Sequence, residues 1–297
     1  MRPILLFSVS LPLLLGSCGE KSSPEDSESV HENSTPPREE VEPEEPITEN
    51  ELEDAVSVNP NLKYEIKGDE VTITDCDEGV SGKVVIPAAI EGKSVTGIGD
   101  RAFQKCIRLT SATIPDSVTS IGEGAFNTCS VTSIIFGEKN QLMSIGGDAF
   151  SNCPLLTEIT IPESVTSIGP RAFDSCRSLI SITIPDRVGK IGPGAFRDCI
   201  GLTSIKIPDS ITGIEFRTFD RCRSLTTITI PDGVTSIGDN AFKECSNLTT
   251  VTLLGDAPKA GEKVFEKSFP TVYRNPETTG WGDMFAGRPV KLISERP

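Results

Sequence analysis

Histidine is almost missing from this 297-residue chain: the only one, His31, lies in an acidic stretch near the N-terminus. Residues 61–297 have none, which excludes His-based nucleophile triads and His-ligated metal sites there. Aromatics are sparse at 5%. No cluster of Lys and Arg offers the footprint that nucleic acid requires, so no nucleic-acid partner is expected. A G-x-S-x-G elbow, a phosphate-binding loop and a dinucleotide fingerprint are all absent, and no cofactor is implied. The carboxylates Asp100, Asp174, Asp198, Asp220 and Asp239 are scattered over positions expected to be variable and exposed. An acid–base pair among them would be coincidental, and an enzyme is not expected. Beyond the first 18 residues no apolar run is long enough to span a membrane.

Charge is unevenly spread. Gly19–Pro60 holds fourteen Asp/Glu against two Lys/Arg, a net −12 of the total −15. Residues 1–18, MRPILLFSVSLPLLLGSC, carry one Arg before an apolar run that ends in small residues, the pattern of a secretory signal peptide. Leu15-Gly16-Ser17-Cys18 resembles the bacterial lipobox, which implies acylation of Cys18 and anchoring by lipid rather than by a spanning helix. The following residues 19–60 have few large apolar side chains and many Glu, Ser and Pro. Such a segment cannot offset its ordering entropy by burial and is expected to be a disordered acidic spacer.

A repeat organises the remainder. Phe103, Phe126, Phe150, Phe173, Phe196, Phe219 and Phe242 recur every 23 residues, with one interval of 24, and Phe265 is a degenerate eighth. A Cys follows each of the first seven by three residues. Twenty-three residues are too few for a two-helix repeat, and the period lies in the leucine-rich range. Leu-x-x-Ile-x-Ile-Pro, as in Leu179–Pro185, predicts a strand stopped by proline. Stacked copies then form a parallel sheet. Val-Thr-x-Ile-Gly predicts a second extended piece, its glycine permitting a positive φ or a tight corner. Ala-Phe-x-x-Cys predicts a helical turn with Phe and Cys facing inward.

LTxITIPxxVTSIGxxAFxxC, read from residues 225–245 and their neighbours, resembles the BspA-type leucine-rich repeat of bacterial surface proteins over roughly residues 62–290. Tyr64–Gly99 is similar to the hairpin and first coil of that family, and Thr271–Val290 to a closing segment. The fold expected is a β-rich solenoid with a parallel sheet face and short helical turns, capped by an N-terminal β-hairpin. Its parts are a lipoprotein signal peptide (1–18), the spacer (19–60), a cap and first degenerate coil (61–98), regular repeats (99–254), and a degenerate last coil with a C-terminal cap (255–297). The resemblance implies adhesion or matrix attachment for some members, but a fold alone does not fix function.

In-register cysteines would stack roughly 5 Å apart, a spacing that permits a disulfide but with parallel Cβ vectors that give it poor geometry. The alternatives are small, weakly polar residues packed beneath Phe, one or more disulfides, or, least suited to this spacing, metal.

Two strand positions per coil should face outward: Ser111/Thr113, Ser133/Ile135, Glu158/Thr160, Ser181/Thr183, Ser204/Lys206, Thr227/Thr229 and Thr250/Thr252. The result is a hydroxyl carpet interrupted by Ile135, Glu158 and Lys206. It is either a solvated sheet face or a broad contact surface. Departures from the repeat point better to a specific contact. One is the insertion Gly137–Gln141, which includes Lys139 and Asn140. The other is Ile214–Phe219, where Glu215 replaces the usual glycine and Phe216 stands among Arg217, Arg221 and Arg223. The reading is a non-catalytic, lipid-anchored envelope module, facing periplasm or cell surface, that binds a protein or other macromolecule. A structural envelope protein without a discrete ligand is the alternative.

Overall fold

The computed structural model describes residues 59–296. Each repeat closes into a coil with strands on two sides. The Leu-x-x-Ile-x-Ile segments form the long-strand face, including Arg108–Ile114, Ser133–Phe136, Glu158–Thr160, Ser181–Thr183, Thr227–Ile230 and Thr250–Leu253. The Val-Thr-x-Ile-Gly segments form the short-strand face, from Ser120–Ile121 to Ser236–Ile237. Neighbouring coils pair in parallel, for example Ser111 with Ser133 and Ser144 with Ser167. The β-rich solenoid expected from the repeat is therefore what forms.

The ends are closed by antiparallel elements. Leu62–Lys67 and Glu70–Cys76 form a hairpin, and Glu70–Cys76 then runs parallel to Lys93–Ile98. At the other end Arg288–Leu292 extends the long-strand sheet beside Thr271–Arg274, and Met284–Phe285 folds back on it. The Arg296 guanidinium lies 5.5 Å above the Tyr273 ring.

The interior is a column of phenylalanines. The eight phenylalanines of the repeat, from Phe103 to Phe265, are each at most 1% exposed. Successive ring centroids lie 4.7–5.7 Å apart with interplanar angles of 3–18°. Ile and Leu of both faces pack around this column. Each buried side chain thus has its own copy above and below, and no coil can bury its apolar face alone.

Ala-Phe-x-x-Cys is a run of tight turns rather than helix. Gln104 N donates to Arg101 O and Cys106 N to Phe103 O, but Arg101, Phe103 and Lys105 donate to Glu123, Ala125 and Asn127 of the next coil. Two residues per coil, two before and two after Phe, have positive φ: Arg101 and Lys105, Arg171 and Ser175, Asn240 and Glu244. This left-handed backbone turns alternate N–H groups along the stack and prevents a helix from propagating. Opposite charges 23 residues apart line the same edge. Arg171 donates twice to Asp148 (2.6 and 2.9 Å), Arg197 twice to Asp174 (2.8 and 3.0 Å), and Lys243 lies 2.7 Å from Glu266. Asp174 and Asp220 are buried there, contrary to the exposure expected of them. Desolvation raises the Asp220 pKa.

The glycine of Ile-Gly serves close approach instead of unusual φ. A Cβ on Gly169 would lie 2.5 Å from Gly147 N and 2.6 Å from Gly146 C, and one on Gly192 would lie 2.5 Å from Pro170 N. Glu215 occupies this position with a side chain, and the backbone responds. The short-strand ladder ends at Lys190–Ile191 and begins again at Gly213–Ile214. Gly192 N and Gly238 N donate to the preceding coil, whereas Glu215 N makes no such bond among the described residues. The Phe196–Phe219 separation is the widest of the column at 5.7 Å. The core continues through this seam although both ladders part near it, residues 202–207 forming no strand on the long-strand face.

Cys76 and the seven repeat cysteines are free and buried. Their role is more specific than filling space. Cys129, Cys153, Cys176, Cys199, Cys222 and Cys245 each direct Sγ at the carbonyl of the preceding coil's Phe, at 2.9–3.2 Å. At the eighth coil Ser268 takes the place of Cys, and its hydroxyl donates to Phe242 O at 2.7 Å. The position therefore calls for a small side chain with a donor. Burial raises the pKa of all six of these thiols, that of Cys245 to about 12.

Cys199→Ala should destabilise the protein by about 1–3 kcal/mol, through the lost bond and the vacated sulfur volume, and Cys199→Ser by clearly less. Equal losses in urea denaturation would refute the donor role. An unfolded thiol ionises near pH 8.5, while the folded thiols stay protonated well above it. Their contribution is thus complete below about pH 8.5 and is lost above it, by about 1.4 kcal/mol per thiol per pH unit. The urea midpoint of the reduced protein should fall steeply from pH 8.5 to 10.5, and a flat profile would contradict this. Glu215→Gly should raise stability by about 1 kcal/mol by letting the seam close, whereas Gly169→Ala should lower it by about 1–3 kcal/mol. Hydrogen exchange at residue 215 reads the first change directly: protection no greater in Glu215→Gly than in the parent would rule out the seam.

Candidate functional site

Among the predicted outward pairs of the long-strand face, those in the middle are the most exposed. Ser111 and Thr252 are buried, while Ile135, Glu158, Thr160, Ser181, Thr183, Ser204, Lys206, Thr227 and Thr229 are exposed. Many hydroxyls elsewhere on the coil are committed to the fold. Thr132, Thr203 and Thr249, which precede the strands, donate to main-chain carbonyls of the preceding coil at 3.1–3.2 Å. Thr119, Thr166 and Thr235 do the same on the short-strand face.

The long-strand ladder breaks twice: between Ser133–Phe136 and Glu158–Thr160, and at residues 202–207, which form no strand between Ser181–Thr183 and Thr227–Ile230. The first break adjoins the chain-length change. Ser133–Phe136 pairs with the coil before it and Glu158–Thr160 with the coil after it, but not with each other. The cause lies in the sequence of this coil. Val131 takes the usual Leu position one residue early, and Gly137–Gln141 adds two residues at the next corner, so the strand between them meets its neighbour out of step. On the short-strand face the ladder through Ser120, Ser144 and Ser167 is unbroken. The break is therefore a wedge, open toward the long-strand side, with a cavity of about 600 Å³.

Four of the sequence-predicted residues line this one cleft: Ile135, Lys139, Asn140 and Glu158. Ile135 is 51% exposed. Asn140 is a brace: its Nδ2 donates to Pro115 O, and its Oδ1 accepts from Leu142 N. The Lys139 main-chain N–H donates to Asp116 Oδ1, which leaves its ammonium at the rim. Lys206 stands further along the same face beside a second cavity of about 550 Å³ and is bonded to Asp186 at 2.8 Å, which raises its pKa.

Phe216, Arg217 and Arg221 lie elsewhere, on the turn edge. Phe216 is 45% exposed, and the Arg217 guanidinium stands 5.0 Å above its ring. Both border a hollow of about 320 Å³ with Pro170, Pro193, Arg171 and Arg197. Arg221 is engaged by Glu244 at 3.3 Å, and Arg223 approaches the same carboxylate at 3.8 Å. The arginine cluster is thus largely a stacking device.

Sequence reasoning missed the acidic rim. Glu138 and Glu163 face the cleft beside Glu158. They belong to a column in which every coil from Asp116 to Glu277 carries a carboxylate just after the strand corner. The signal is legible as the recurring Pro-Asp or Pro-Glu, to which sequence reasoning assigns no role. Among the described residues no group of three or more His, Cys, Asp or Glu is placed to hold a metal ion, and no helix is long and apolar enough to cross a membrane.

Comparison with known proteins agrees with this geometry. The model of the BspA type leucine rich repeat region matches in six copies, over residues 86–201 and 166–274. The terminal hairpin and closing segment fall outside the match. The crystal structure of the T. pallidum leucine rich repeat protein TpLRR is similar at 30% identity, over 65% of this chain and 91% of that one, with a TM-score of 0.59. A leucine-rich repeat protein from Bacteroides ovatus shares the fold at 22% identity, over 80% of this chain and 77% of that one, with a TM-score of 0.55. No curated protein matches.

Proposed function

The chain belongs to the BspA-type leucine-rich repeat family, and from that premise we propose that it is a non-catalytic, lipid-anchored module of the cell envelope that binds a protein through the open middle of its long-strand face. The observation that carries this reading is the coincidence there of an exposed window, a broken ladder and four non-repetitive side chains. A scaffold that only had to stack would not need any of the three. The lack of catalysis is supported by the state of the nucleophiles: the six thiols from Cys129 to Cys245 are buried, have raised pKa values and are bonded to carbonyls, and many repeat hydroxyls are spent on joining coils. Adhesion is one use of such binding. The signal peptide, the acylated Cys18 and the acidic spacer lie outside the described residues and rest on the sequence alone.

The full chain, immobilised and exposed to envelope extract, should retain a partner saturably. Thr183→Arg with Thr229→Arg, both on the exposed face, should cut retention about tenfold or more while leaving the unfolding midpoint unchanged. Retention of no partner would favour a purely structural envelope role, and retention insensitive to those changes would move the site off this face. For anchoring, the wild type should fractionate with membranes and Cys18→Ser should not. An identical distribution of the two would refute lipidation.

A further inference from the structure

We infer that the cleft between Ser133–Phe136 and Glu158–Thr160 receives an extended, basic segment of the partner protein, with an apolar side chain of that segment lodged on Ile135. This rests on the binding reading above and names the chemistry of what binds.

Backbone availability is the first argument. Thr132 N donates to Thr110 O and Ile180 N to Thr157 O, as the parallel ladder requires, but among the described residues the equivalent bond between Thr157 and Thr132 is absent, as is that between Thr226 and Thr203. Only the first gap combines an apolar floor with an acidic rim. Polar main-chain groups on both walls of the cleft are therefore uncommitted, a condition that favours an extended visitor. Full insertion of a strand is excluded, because Phe126 and Phe150 stay 5.4 Å apart beneath the gap. The visitor must lie along the mouth and send side chains in.

The floor is apolar. Ile135 is in register with Thr113 and Val85, and Val85 is 63% exposed. Phe136 and Pro162, half-buried, flank it. An isolated exposed Ile is unremarkable in itself, but here it sits in a concavity next to unpaired backbone.

Charge decides the partner. Glu138, Glu158 and Glu163 are exposed at the rim, and none takes part in an ion pair among the described residues, whereas Asp148, Asp174, Asp198, Glu244 and Glu266 on the turn edge are all paired. Only Lys139 opposes them in the cleft lining. Three carboxylates without an ion-pair partner, opposed by a single lysine in the lining, surround an apolar floor and complement Lys or Arg flanking an apolar residue. The chain's own residues 19–60, at net −12, have the wrong sign to occupy the site. Nucleic acid is repelled for the same reason. The occupant is a segment of another protein.

The test uses arrays of labelled extended peptides of about ten residues around a central Leu, in basic, neutral and acidic classes, probed with the full chain. The basic class should be retained. Retention should fall about tenfold in Glu158→Lys with Glu163→Lys, and should also fall as salt is raised. Ile135→Ser should lower it without changing the preference for positive charge. Asp239→Lys, elsewhere on the solenoid, should change nothing, and unfolding midpoints of all variants report intact folding. Retention of neutral or acidic peptides equally well, of no class, or of the basic class regardless of the charge reversal would each overturn the inference. A natural partner captured equally by the parent and the charge-reversed chain would remove it from this cleft yet leave the binding module standing. Absence of any captured partner would instead strike at the module.

Discussion

The distance between adjacent coils, about 5 Å, is the constraint from which the rest follows. The phenylalanine rings set it by stacking nearly face to face, and both strand faces inherit it because parallel strands want almost the same spacing. Everything that lies between one backbone and the next must then be thin. Glycine at the Ile-Gly corner meets that demand where even a methyl group would strike the backbone below. Residues around each Phe meet it in another way, by adopting left-handed conformations that send N–H groups along the stack. Such conformations are unfavourable for Arg, Lys and Glu taken singly. They persist because each is held by a hydrogen bond to a coil in the same strain.

The cysteines obey the same constraint. A thiol three residues after Phe reaches the carbonyl of the coil below, and that carbonyl is already bonded once inside its own turn, for example to Cys176 N at Phe173 O. A larger donor would not fit between the coils, and a purely apolar side chain would leave the second lone pair empty. Cys satisfies both demands, and Ser268 shows that the hydroxyl does as well. Regular spacing that looked like a disulfide framework is thus the record of a repeated hydrogen bond.

Periodicity made the fold legible. The interval of 23, the alternation in Leu-x-x-Ile-x-Ile and the proline stop were enough to place two strand faces and an inward Phe column, because in a stack every local preference is tested many times over. What stayed hidden was whatever depends on contacts between coils. The helical turn expected at Ala-Phe-x-x-Cys gave way to left-handed turns because its N–H groups are claimed by the next coil. The glycine expected to permit a positive φ or a tight corner is there for lack of a Cβ. Asp174 and Asp220, read as exposed, are buried because carboxylates meet arginines one coil away. The candidate site was half visible. Ile135, Lys139, Asn140 and Glu158 announced themselves by breaking the pattern, whereas Glu138 and Glu163 kept to it and were overlooked. Phe216 and Arg221 broke the pattern too, yet they mark the seam left by Glu215 and an ion pair.

Two kinds of departure therefore coexist in this solenoid, and the charges around them distinguish them. At Glu215 a side chain intrudes where none fits, the short-strand ladder parts while residues 202–207 form no strand opposite, and the nearby charges are largely taken up by one another: Arg217 covers Phe216, and Arg221 holds Glu244. At Gly137–Gln141 the chain length changes, the long-strand face parts, and the charges around the opening are left without partners. The first departure compensates itself locally. The second leaves unpaired backbone, exposed apolar surface and net negative charge in one place, and each is unfavourable in an otherwise regular stack. A fold built by repetition has no local remedy for that combination, and the proposed partner segment is the kind of remedy that would fit it.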